Sequence, residues 1–377
     1  MTPLWQRPFR LRPNRVSYLL PGGELIDEFL GQPRGACPGA SQMWVASVVQ
    51  STLPGAADSR SYVWEEDGGG CLAQLLESRP QAFLGPAAAL GPTPGFLLKL
   101  LHSTQRLLVQ THPDRQKAQK YFGWPYGKTE AWYVLATDPA AGPAYVWVGF
   151  VPGVSAQRFR SLIEAQDTAA ILACLHRFEV RPGDVIFIPA GLPHALGAGS
   201  LVAEIQEPSD ITLRAECVRP DGSRLPAESL HSGAGMQALL DCFDFAGAAE
   251  REAVRSRYFL QPQTQRLAGG LRQVLVGPAQ TDYFGLARLC CTGPCTLRND
   301  SFRVLLVESG QGSLTANGAS LPLRRGSEVF VPAGAAEYTL VPGRGGLAVL
   351  ECTPPAPGAP HRAGACVCAK GKKYTHE

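Results

Sequence analysis

The chain has 377 residues, of which 45% are hydrophobic and 18% are charged, and its formal net charge is +3 at pH 7. This is the composition of an ordinary globular protein, and so small and dispersed a positive charge argues against a nucleic-acid-binding surface. No apolar run is long enough for a membrane helix. The first residues include Pro3, Arg7 and Pro8. They lack the apolar core of a signal peptide, so we expect a cytoplasmic protein.

Glycine and proline are abundant, with 41 and 32 residues, and they are scattered along the chain. This distribution favours a mainly β protein with many turns, and the length favours two or three domains. The eleven cysteines include Cys366 and Cys368 near the end but form no matched pairs of Cys-x-x-Cys. We therefore expect most cysteines to be reduced and to act as small buried hydrophobic residues.

In chain order, residues 43–49 and 96–101 are the first clear strands. Within residues 105–114, period-two alternation places Gln110 and His112 on one face of a further strand, because side chains two apart point the same way. A helix follows at residues 115–122, ended by a glycine.

Residues 127–135 predict a buried strand that begins near Glu130. A carboxylate at this point can be a solvated strand end, but one that opens an apolar run needs a cation or a donor nearby. Residues 155–175 predict two short helices, with Asp167 as the cap of the second, and residues 236–245 predict another helix.

One strand-and-turn pattern occurs twice, at residues 181–199 and at residues 324–337. In each copy a short apolar strand ends at a Pro-Ala-Gly turn. Aligning the two turns pairs His194 of the first copy with Glu337 of the second. We predict a duplicated fold module in which only the first copy carries chemistry.

Separate strands thus offer four ligand-type side chains: Gln110, His112, Glu130 and His194. Two imidazoles, one carboxylate and one amide oxygen form a mixed nitrogen and oxygen set that suits zinc with open positions for water or substrate. A lone histidine is more often a core residue, so the spaced pair Gln110 and His112 is the stronger evidence.

These segments resemble the type I phosphomannose isomerases, most closely their short bacterial form. The resemblance runs in order over about residues 1–353 and is strongest over residues 96–214. The motifs that carry it are Val109-Gln-Thr-His-Pro-Asp114, Gly127-Lys-Thr-Glu-Ala-Trp-Tyr-Val-Leu135, Pro182-Gly-Asp-Val-Ile-Phe-Ile-Pro-Ala-Gly-Leu-Pro-His194 and Glu204-Ile-Gln-Glu-Pro-Ser-Asp-Ile-Thr-Leu-Arg214.

The resemblance implies a mainly β fold of duplicated cupin (jelly-roll) barrels with a few short helices inserted. The domains would be a metal-binding cupin domain with helical insertions at residues 1–245, a linker at residues 246–258 and a second, metal-free cupin domain at residues 259–354. We expect the basic tail, residues 355–377, to be disordered.

The resemblance also implies a zinc-dependent aldose–ketose isomerase that interconverts mannose 6-phosphate and fructose 6-phosphate through an enediolate. One zinc ion per chain would be held by the four side chains above. Arg214 would stabilise the enediolate or the phosphate, and Lys128 or Glu204 would be the general base. Lys99 and Asp210 would line the substrate pocket.

Three departures from the family pattern lie near this pocket. Tyr18-Leu-Leu-Pro-Gly-Gly23 stands where the family has Trp-Gly-Gly, Gln42 stands where many members have Glu, and residues 215–217 replace aromatic neighbours of Arg214. These changes affect the shape of the pocket, and with it the sugar preference, but leave the four predicted ligands in place.

Two alternatives remain at this point: a sugar-phosphate-binding cupin module without catalysis, and a cupin oxygenase that holds iron through two histidines and a carboxylate. The fourth ligand and the nearby lysine and arginine favour a phosphorylated substrate. We expect a small-molecule sugar phosphate as the partner, no nucleic acid or membrane, and a monomer or weak oligomer.

Overall fold

The computed structural model describes residues 2–51 and 58–355, and over these residues the chain is mainly β, as predicted. The strands are β1 (Phe9–Leu11), β2 (Arg15–Val16), β3 (Gln42–Val45), β4 (Leu97–His102), β5 (Gln110–Thr111), β6 (Glu130–Thr137), β7 (Tyr145–Phe150), β8 (Leu175–Glu179), β9 (Val185–Ile188), β10 (His194–Leu196), β11 (Ser200–Gln206), β12 (Leu213–Arg214), β13 (Phe259–Leu260), β14 (Gln263–Leu267), β15 (Gly270–Val276), β16 (Gly285–Cys291), β17 (Cys295–Arg298), β18 (Arg303–Ala316), β19 (Ala319–Arg324), β20 (Glu328–Val331) and β21 (Glu337–Thr353).

The helices are short and lie between the strands. They are α1 (Glu24–Phe29), α2 (Leu72–Ser78), α3 (Pro80–Leu84), α4 (Arg115–Phe122), α5 (Ala156–Ala165), α6 (Thr168–Ala173), α7 (Met236–Asp241) and α8 (Arg251–Tyr258), with short 3₁₀ helices at Leu4–Gln6, Glu65–Asp67, Gly85–Leu90, Pro139–Ala141 and Ala227–Leu230.

The strands form three antiparallel sheets. A five-stranded sheet has the order β12-β5-β10-β7-β8, and a seven-stranded sheet has the order β13-β9-β6-β11-β4-β3-β2. A nine-stranded sheet has the order β1-β20-β18-β21-β16-β15-β14, with β17 paired to β21 and β19 paired to β18.

The seven-stranded sheet is the middle layer, because both of its faces are covered. Along β6, Trp132 and Val134 pack in one apolar cluster with residues of the five-stranded sheet, whereas Ala131 and Tyr133 pack in another with residues of the nine-stranded sheet. This alternation is the ordinary period of a β-strand. One face of β6 therefore looks into the space between the seven- and five-stranded sheets, where the candidate site lies.

A row of phenylalanine rings joins the middle layer to the nine-stranded sheet. Phe96 stacks on Phe302 at 6.1 Å, Phe302 on Phe330 at 5.3 Å and Phe330 on Phe9 at 5.4 Å between ring centroids. Burial of each such ring stabilises the fold by about 1.5–3 kcal/mol. The inner faces of the nine-stranded sheet enclose a separate apolar cluster that includes Leu305.

Several predicted elements are confirmed. Helix α4 spans the predicted residues, with the Asp114 carboxylate accepting from the Lys117 N–H and Gly123 in the left-handed conformation at its end. Helices α5 and α6 divide as predicted, and the side chain of Asp167 caps α6. Strands β9 and β20 occupy the same place in the two copies of the repeated pattern.

Two predicted strands are shorter than expected. The strand predicted at residues 43–49 ends at Val45 because Ala46 has a φ of 50°, which leaves the extended region. The strand predicted within residues 105–114 contains only β5, because the Leu107 N–H donates to the Leu196 carbonyl and the Val109 N–H donates to the carboxylate of Glu216. The predicted helix at residues 236–245 likewise ends at Asp241.

The sheets exchange strands across the predicted domain division. The N-terminal β1 pairs with β20 in the nine-stranded sheet, and β13 pairs with β9 in the seven-stranded sheet. Helix α8 lies within the predicted linker. The division at residues 1–245, 246–258 and 259–354 stays a prediction, and the tail from residue 356 lies outside the described residues.

The nine described cysteines are all free, and seven of them are buried, as expected for small hydrophobic residues. Cys366 and Cys368 lie outside the described residues. Among the helices of the described ranges, none has the length and apolar character needed to cross a membrane.

Candidate metal centre

The five-stranded sheet contributes one row of polar side chains to the space between the sheets. In its hydrogen-bonding register, Gln110 of β5 stands opposite His194 of β10 on one side and opposite Arg214 of β12 on the other. Residues directly opposite each other in a sheet have side chains on the same face. Three predicted site residues, distant in sequence, are therefore neighbours through strand pairing alone.

The seven-stranded sheet contributes the opposing row. Glu204 of β11 stands between Lys99 of β4 and Trp132 of β6, and Glu130 begins β6 two residues before Trp132. The period of two puts Glu130 and Trp132 on the same face. The side chains of Lys99, Glu130 and Glu204 are all buried.

His112, Glu130 and His194 converge to form a compact group. One potential ligand atom from each of them lies within 4.8 Å of the other two. The Nε2 atom of His112 is 3.3 Å from Glu130 Oε2, and the Nε2 atom of His194 is 3.5 Å from Glu130 Oε1. Gln110 adjoins this group, with its side-chain amide nitrogen 3.2 Å from the Nε2 atom of His194.

The hydrogen bonds on the far side of each imidazole fix which nitrogen faces the group. His112 Nδ1 lies 3.0 Å from the carbonyl oxygen of Ile211, and His194 Nδ1 lies 2.9 Å from that of Leu192. A carbonyl oxygen only accepts, so each Nδ1 carries the hydrogen and donates it. Each Nε2 therefore presents a lone pair to the group, which is how metal-binding histidines are oriented.

The electrostatics keep this group in the form that a cation requires. Burial and the charge of Lys128 lower the pKa of His112 to about 3, and burial also lowers the pKa of His194. Burial alone would raise the pKa of Glu130, but the Lys128 charge and the His112 imidazole outweigh it, so the pKa falls well below its usual range. The group thus consists of two neutral imidazoles and one carboxylate.

These residues fit a metal ion. Glu130 Oε1 is a buried oxygen without a hydrogen-bond partner among the described residues, and a buried carboxylate oxygen in that state needs a cation. Gln110 meets the group through its amide, whose oxygen and nitrogen exchange places by a half-turn of the terminal torsion. The amide oxygen can then face the same point. The group can therefore bind a metal ion.

Lys128 sits directly beside these ligands. Its Nζ atom contacts the carboxylate of Glu130 and lies 2.9 Å from His112 Nε2. Because that Nε2 is an acceptor, the lysine is the donor. The lysine is buried, so its Nζ atom is held within the interior and not in solvent.

A second polar group lies on the same face of the seven-stranded sheet. Lys99 Nζ is 3.0 Å from Asp210 Oδ1 and 3.9 Å from Glu204 Oε1, and it lies 4.6 Å from the centroid of the Trp44 ring. Burial alone would lower the pKa of Lys99, but the two carboxylates raise it above its usual value. Lys99 is therefore a buried cation paired with two buried carboxylates.

The Glu204 carboxylate has a different environment from that of Glu130. Burial raises its pKa, and the Glu130 carboxylate raises it further, against the opposing charges of Lys128 and Lys99. The indole N–H of Trp132 donates to its Oε2 at 3.0 Å. The interior thus contains two carboxylates of unequal acidity, an arrangement that is typical of acid–base sites.

Arg214 lies at the edge of the site. Its Nη1 atom donates to the carbonyl oxygens of Thr212 and Ser229, both at 3.4 Å, and its Nη2 atom donates to the Tyr18 hydroxyl at 3.3 Å. These long contacts leave the guanidinium weakly held compared with a bidentate ion pair. The guanidinium can exchange these contacts for stronger ones to an anion.

All nine predicted site residues therefore line one interior, and the roles assigned to them stay predictions. The structure adds Tyr18, Trp44 and Trp132, whose functional contacts the sequence analysis missed. Trp44 and Trp132 sit in apolar strands, where their sequence context does not distinguish them from core residues. The departure at residues 18–23 was the only signal for Tyr18, and it pointed to the pocket without identifying the contact.

Comparisons with known proteins agree with this architecture. Residues 277–351 match the family model of the mannose-6-phosphate isomerase cupin domain. A probable mannose-6-phosphate isomerase of Bacillus subtilis (strain 168), GmuF, is 27% identical over 274 residues, which are 72% of this chain and 79% of that protein. The mannose-6-phosphate isomerase ManA of the same organism is 26% identical over 245 residues, covering 65% of this chain and 71% of that protein.

The fold is also that of a solved structure. The crystal structure of the mannose 6-phosphate isomerase from Bacillus subtilis superposes with a TM-score of 0.71 at 23% identity and covers 92% of this chain and 99% of that one. The likeness confirms the predicted cupin fold across both parts of the chain. The matching family model and the relatives that share most of its length agree with this fold, so the chain is similar to the type I phosphomannose isomerases.

Proposed function

We propose that this protein is a zinc-dependent isomerase that interconverts mannose 6-phosphate and fructose 6-phosphate through an enediolate. The observation that carries the proposal is the convergence of His112, Glu130 and His194 beside Gln110 in the interior between two sheets. The names of the relatives support the choice of substrate, and we expect this small molecule to be the partner of a cytoplasmic monomer or weak oligomer.

Zinc suits this donor set because two imidazole nitrogens, one carboxylate and one amide oxygen leave positions open for other ligands. Gln110, His112, Glu130 and His194 would hold one ion per chain. When bound, zinc supplies a Lewis acid that stabilises negative charge on adjacent oxygens by several kcal/mol. The Ile211 and Leu192 carbonyls would keep the two imidazoles in the orientation that binding requires.

The reaction also needs a base that takes a proton from carbon and returns it to the adjacent carbon. Lys128 and Glu204 are the two residues proposed for this role, since both are buried and face the interior. Glu204 accepts a hydrogen bond from Trp132, which orients its carboxylate. Glu204→Gln and Lys128→Gln distinguish the two: the variant that lacks the base loses exchange of the substrate proton with solvent deuterium, while the other keeps it.

Arg214 and Lys99 are the cations proposed to recognise the anionic parts of the substrate. The Arg214 guanidinium offers a fixed fork of donors that suits a phosphate or an enediolate. Lys99 is held by Asp210, so its position is set before substrate arrives. Both roles follow from charge and burial, and neither requires a large rearrangement of the strands.

The decisive experiment combines metal analysis with turnover. Protein purified without added metal is analysed for zinc and iron, then loaded with zinc and mixed with mannose 6-phosphate, and fructose 6-phosphate is followed with time. Conversion at stoichiometric zinc supports the proposal. Binding of the sugar phosphate without conversion would support the non-catalytic module, and stoichiometric iron with oxygen uptake would support the oxygenase.

A further inference from the structure

An aromatic ring beside the nine-stranded sheet contacts an arginine that lies near the candidate site. Tyr283 lies in the loop between β15 and β16, and the guanidinium of Arg115 lies 3.9 Å from the centroid of its ring. Arg115 opens α4, only three residues after His112. A cation at this distance over a tyrosine face is attracted by the ring, and the attraction strengthens where water is excluded.

The contact continues from Arg115 into the site. Its Nε atom donates to Glu207 Oε2 at 2.6 Å, and Glu207 is 1% exposed. The other oxygen, Glu207 Oε1, accepts from the backbone N–H of Thr129 at 3.2 Å, and the Glu207 N–H donates to the Thr129 carbonyl at 3.0 Å. Thr129 lies between Lys128 and Glu130, so its backbone sets the position of both.

Charge explains why the arginine must stay in place. Burial raises the pKa of Glu207, and Arg115 is the chief opposing influence that favours its ionised form. A neutral Glu207 would accept a weaker hydrogen bond from the Thr129 N–H, because a charged acceptor binds more strongly than a neutral one. The ring of Tyr283 packs against the guanidinium at 3.9 Å, closer than the ring of Tyr126 at 5.9 Å.

We propose that Tyr283 is a positioning residue through which the nine-stranded sheet holds Lys128 and Glu130 in their working places, acting through Arg115, Glu207 and Thr129. The part of the chain for which no metal ligands are predicted thereby completes the metal site of the other part. The inference rests on the proposed function, since it concerns the geometry of the proposed zinc ligands and base.

The test compares Tyr283→Leu, which keeps apolar bulk but removes the aromatic face, with Tyr283→Phe, which keeps that face. Glu308→Ala is the matched control. It removes another contact between the sheets, the hydrogen bond from the Tyr133 hydroxyl to Glu308 at 3.0 Å, without touching Arg115. For each zinc-loaded protein we would measure the rate of zinc release to a chelator, kcat and KM for mannose 6-phosphate, and the melting temperature.

We expect Tyr283→Leu to release zinc about three- to tenfold faster and to lower kcat by a similar factor, as loss of a partly buried cation–π contact allows. Tyr283→Phe should match the wild type. Glu308→Ala should lower the melting temperature while leaving zinc release and kcat unchanged. If Tyr283→Leu does not fold, Arg115→Gln should give the same two effects from the other side of the contact.

The inference is overturned if folded Tyr283→Leu, or Arg115→Gln in its place, keeps wild-type zinc release and kcat, or if Glu308→Ala changes both quantities as strongly. In the latter case Tyr283 would only stabilise the packing of the sheets. A wild-type protein that neither retains zinc nor converts the sugar would instead refute the proposed function, so the two failures are distinguishable.

Discussion

The two copies of the strand-and-turn pattern have strands of equal length and different interiors. After β9 the chain turns and places His194, with no exposed surface, in the candidate metal group. After β20 it makes the corresponding turn and places Glu337, the aligned residue, at the exposed start of β21 opposite Arg298. The same fold unit therefore supports a buried candidate ligand in one copy and an exposed strand end in the other.

The difference arises from the strands that lie beside each turn. In the first copy His194 is flanked by Gln110 of β5, and Glu130 reaches it from the facing sheet. In the second copy the enclosed residues form an apolar cluster. A metal site needs several ligands at one point, so duplication of a single strand does not duplicate the chemistry.

The largest expected effect is the difference between removing His194 from the first copy and removing the aligned Glu337 from the second. We expect His194→Ala to lose bound zinc and to lower kcat/KM by about a thousandfold or more, because a metal ligand is removed from a site that supplies several kcal/mol. Glu337→Ala should leave zinc content and activity nearly unchanged, because its side chain is exposed. Zinc analysis and the conversion of mannose 6-phosphate measure both.

Circular dichroism should show that both variants keep the fold. Loss of zinc from Glu337→Ala would mean that the second copy also binds metal, and the contrast between the copies would have to be abandoned. Retention of zinc by His194→Ala would remove His194 from the set of ligands.

The next largest effect concerns Arg214, which stands opposite Gln110 of β5 in the first copy. Arg214→Lys keeps the charge but loses the planar fork of donors, so we expect kcat/KM to fall about ten- to a hundredfold while zinc content stays constant. Steady-state kinetics and metal analysis on the same preparation separate the two quantities. If zinc is lost as well, Arg214 supports the metal site and not only the substrate.

A third comparison is between two aligned residues, one in β9 and one in β20. Val185 of β9 aligns with Glu328 of β20, and both are buried. Burial raises the pKa of Glu328 well above its usual range, and a neighbouring Ala46 N–H offsets this only in part. That N–H does not reach hydrogen-bonding geometry, since neither carboxylate oxygen of Glu328 has a hydrogen-bond partner among the described residues. The second copy thus contains a carboxyl group that the fold prefers to keep protonated.

The direction in which Glu328 changes stability with pH follows from proton binding. Above the ordinary glutamate pKa of about 4.3, the folded state binds more protons than the unfolded state, so stability falls as pH rises through that window. We expect Glu328→Gln and the wild type to have the same free energy of unfolding near pH 4. At higher pH the variant should become more stable than the wild type by about 1.4 kcal/mol per pH unit, until the pKa of Glu328 in the folded state is reached. Urea unfolding at a series of pH values measures the difference, and a constant difference would show that Glu328 is ionised in the fold.

Much of the architecture could be predicted from the sequence because its local signals were strong. The cap at Asp114 and the glycine at residue 123 bracket α4, and the repeated Pro-Ala-Gly turns mark β9 and β20. The residues that converge on the site could be predicted because ligand-type side chains in apolar strands are unusual.

The rest depends on distant contacts that no local pattern encodes. The short β5 results from Glu216, more than a hundred residues away, which accepts from the Val109 N–H and forms a buried ion pair with Arg106. The pairing of the N-terminal β1 with β20 depends on a row of stacked rings, and phenylalanines look alike in sequence wherever they pack. Trp132 likewise appears as core residue until its indole is seen to donate to Glu204.

The smallest expected effect tests a side chain that reaches the first interior from outside both repeated copies. The Tyr18 hydroxyl accepts from Arg214 at 3.3 Å, and the segment that carries it is tied down where the Gly23 N–H donates to His102 Nδ1 at 3.0 Å. Gly22, next to Gly23, has a φ of 152°, and a Cβ there would lie 2.2 Å from the His102 carbonyl oxygen, so the loop has little freedom.

Tyr18→Phe removes only the hydroxyl, and one long hydrogen bond is worth about 1 kcal/mol. We expect KM for mannose 6-phosphate to rise about two- to fivefold with kcat and zinc content preserved. A fall in kcat at constant KM would mean instead that Tyr18 acts on the transition state through Arg214, and the first interior would then depend on a residue that neither copy of the repeat supplies.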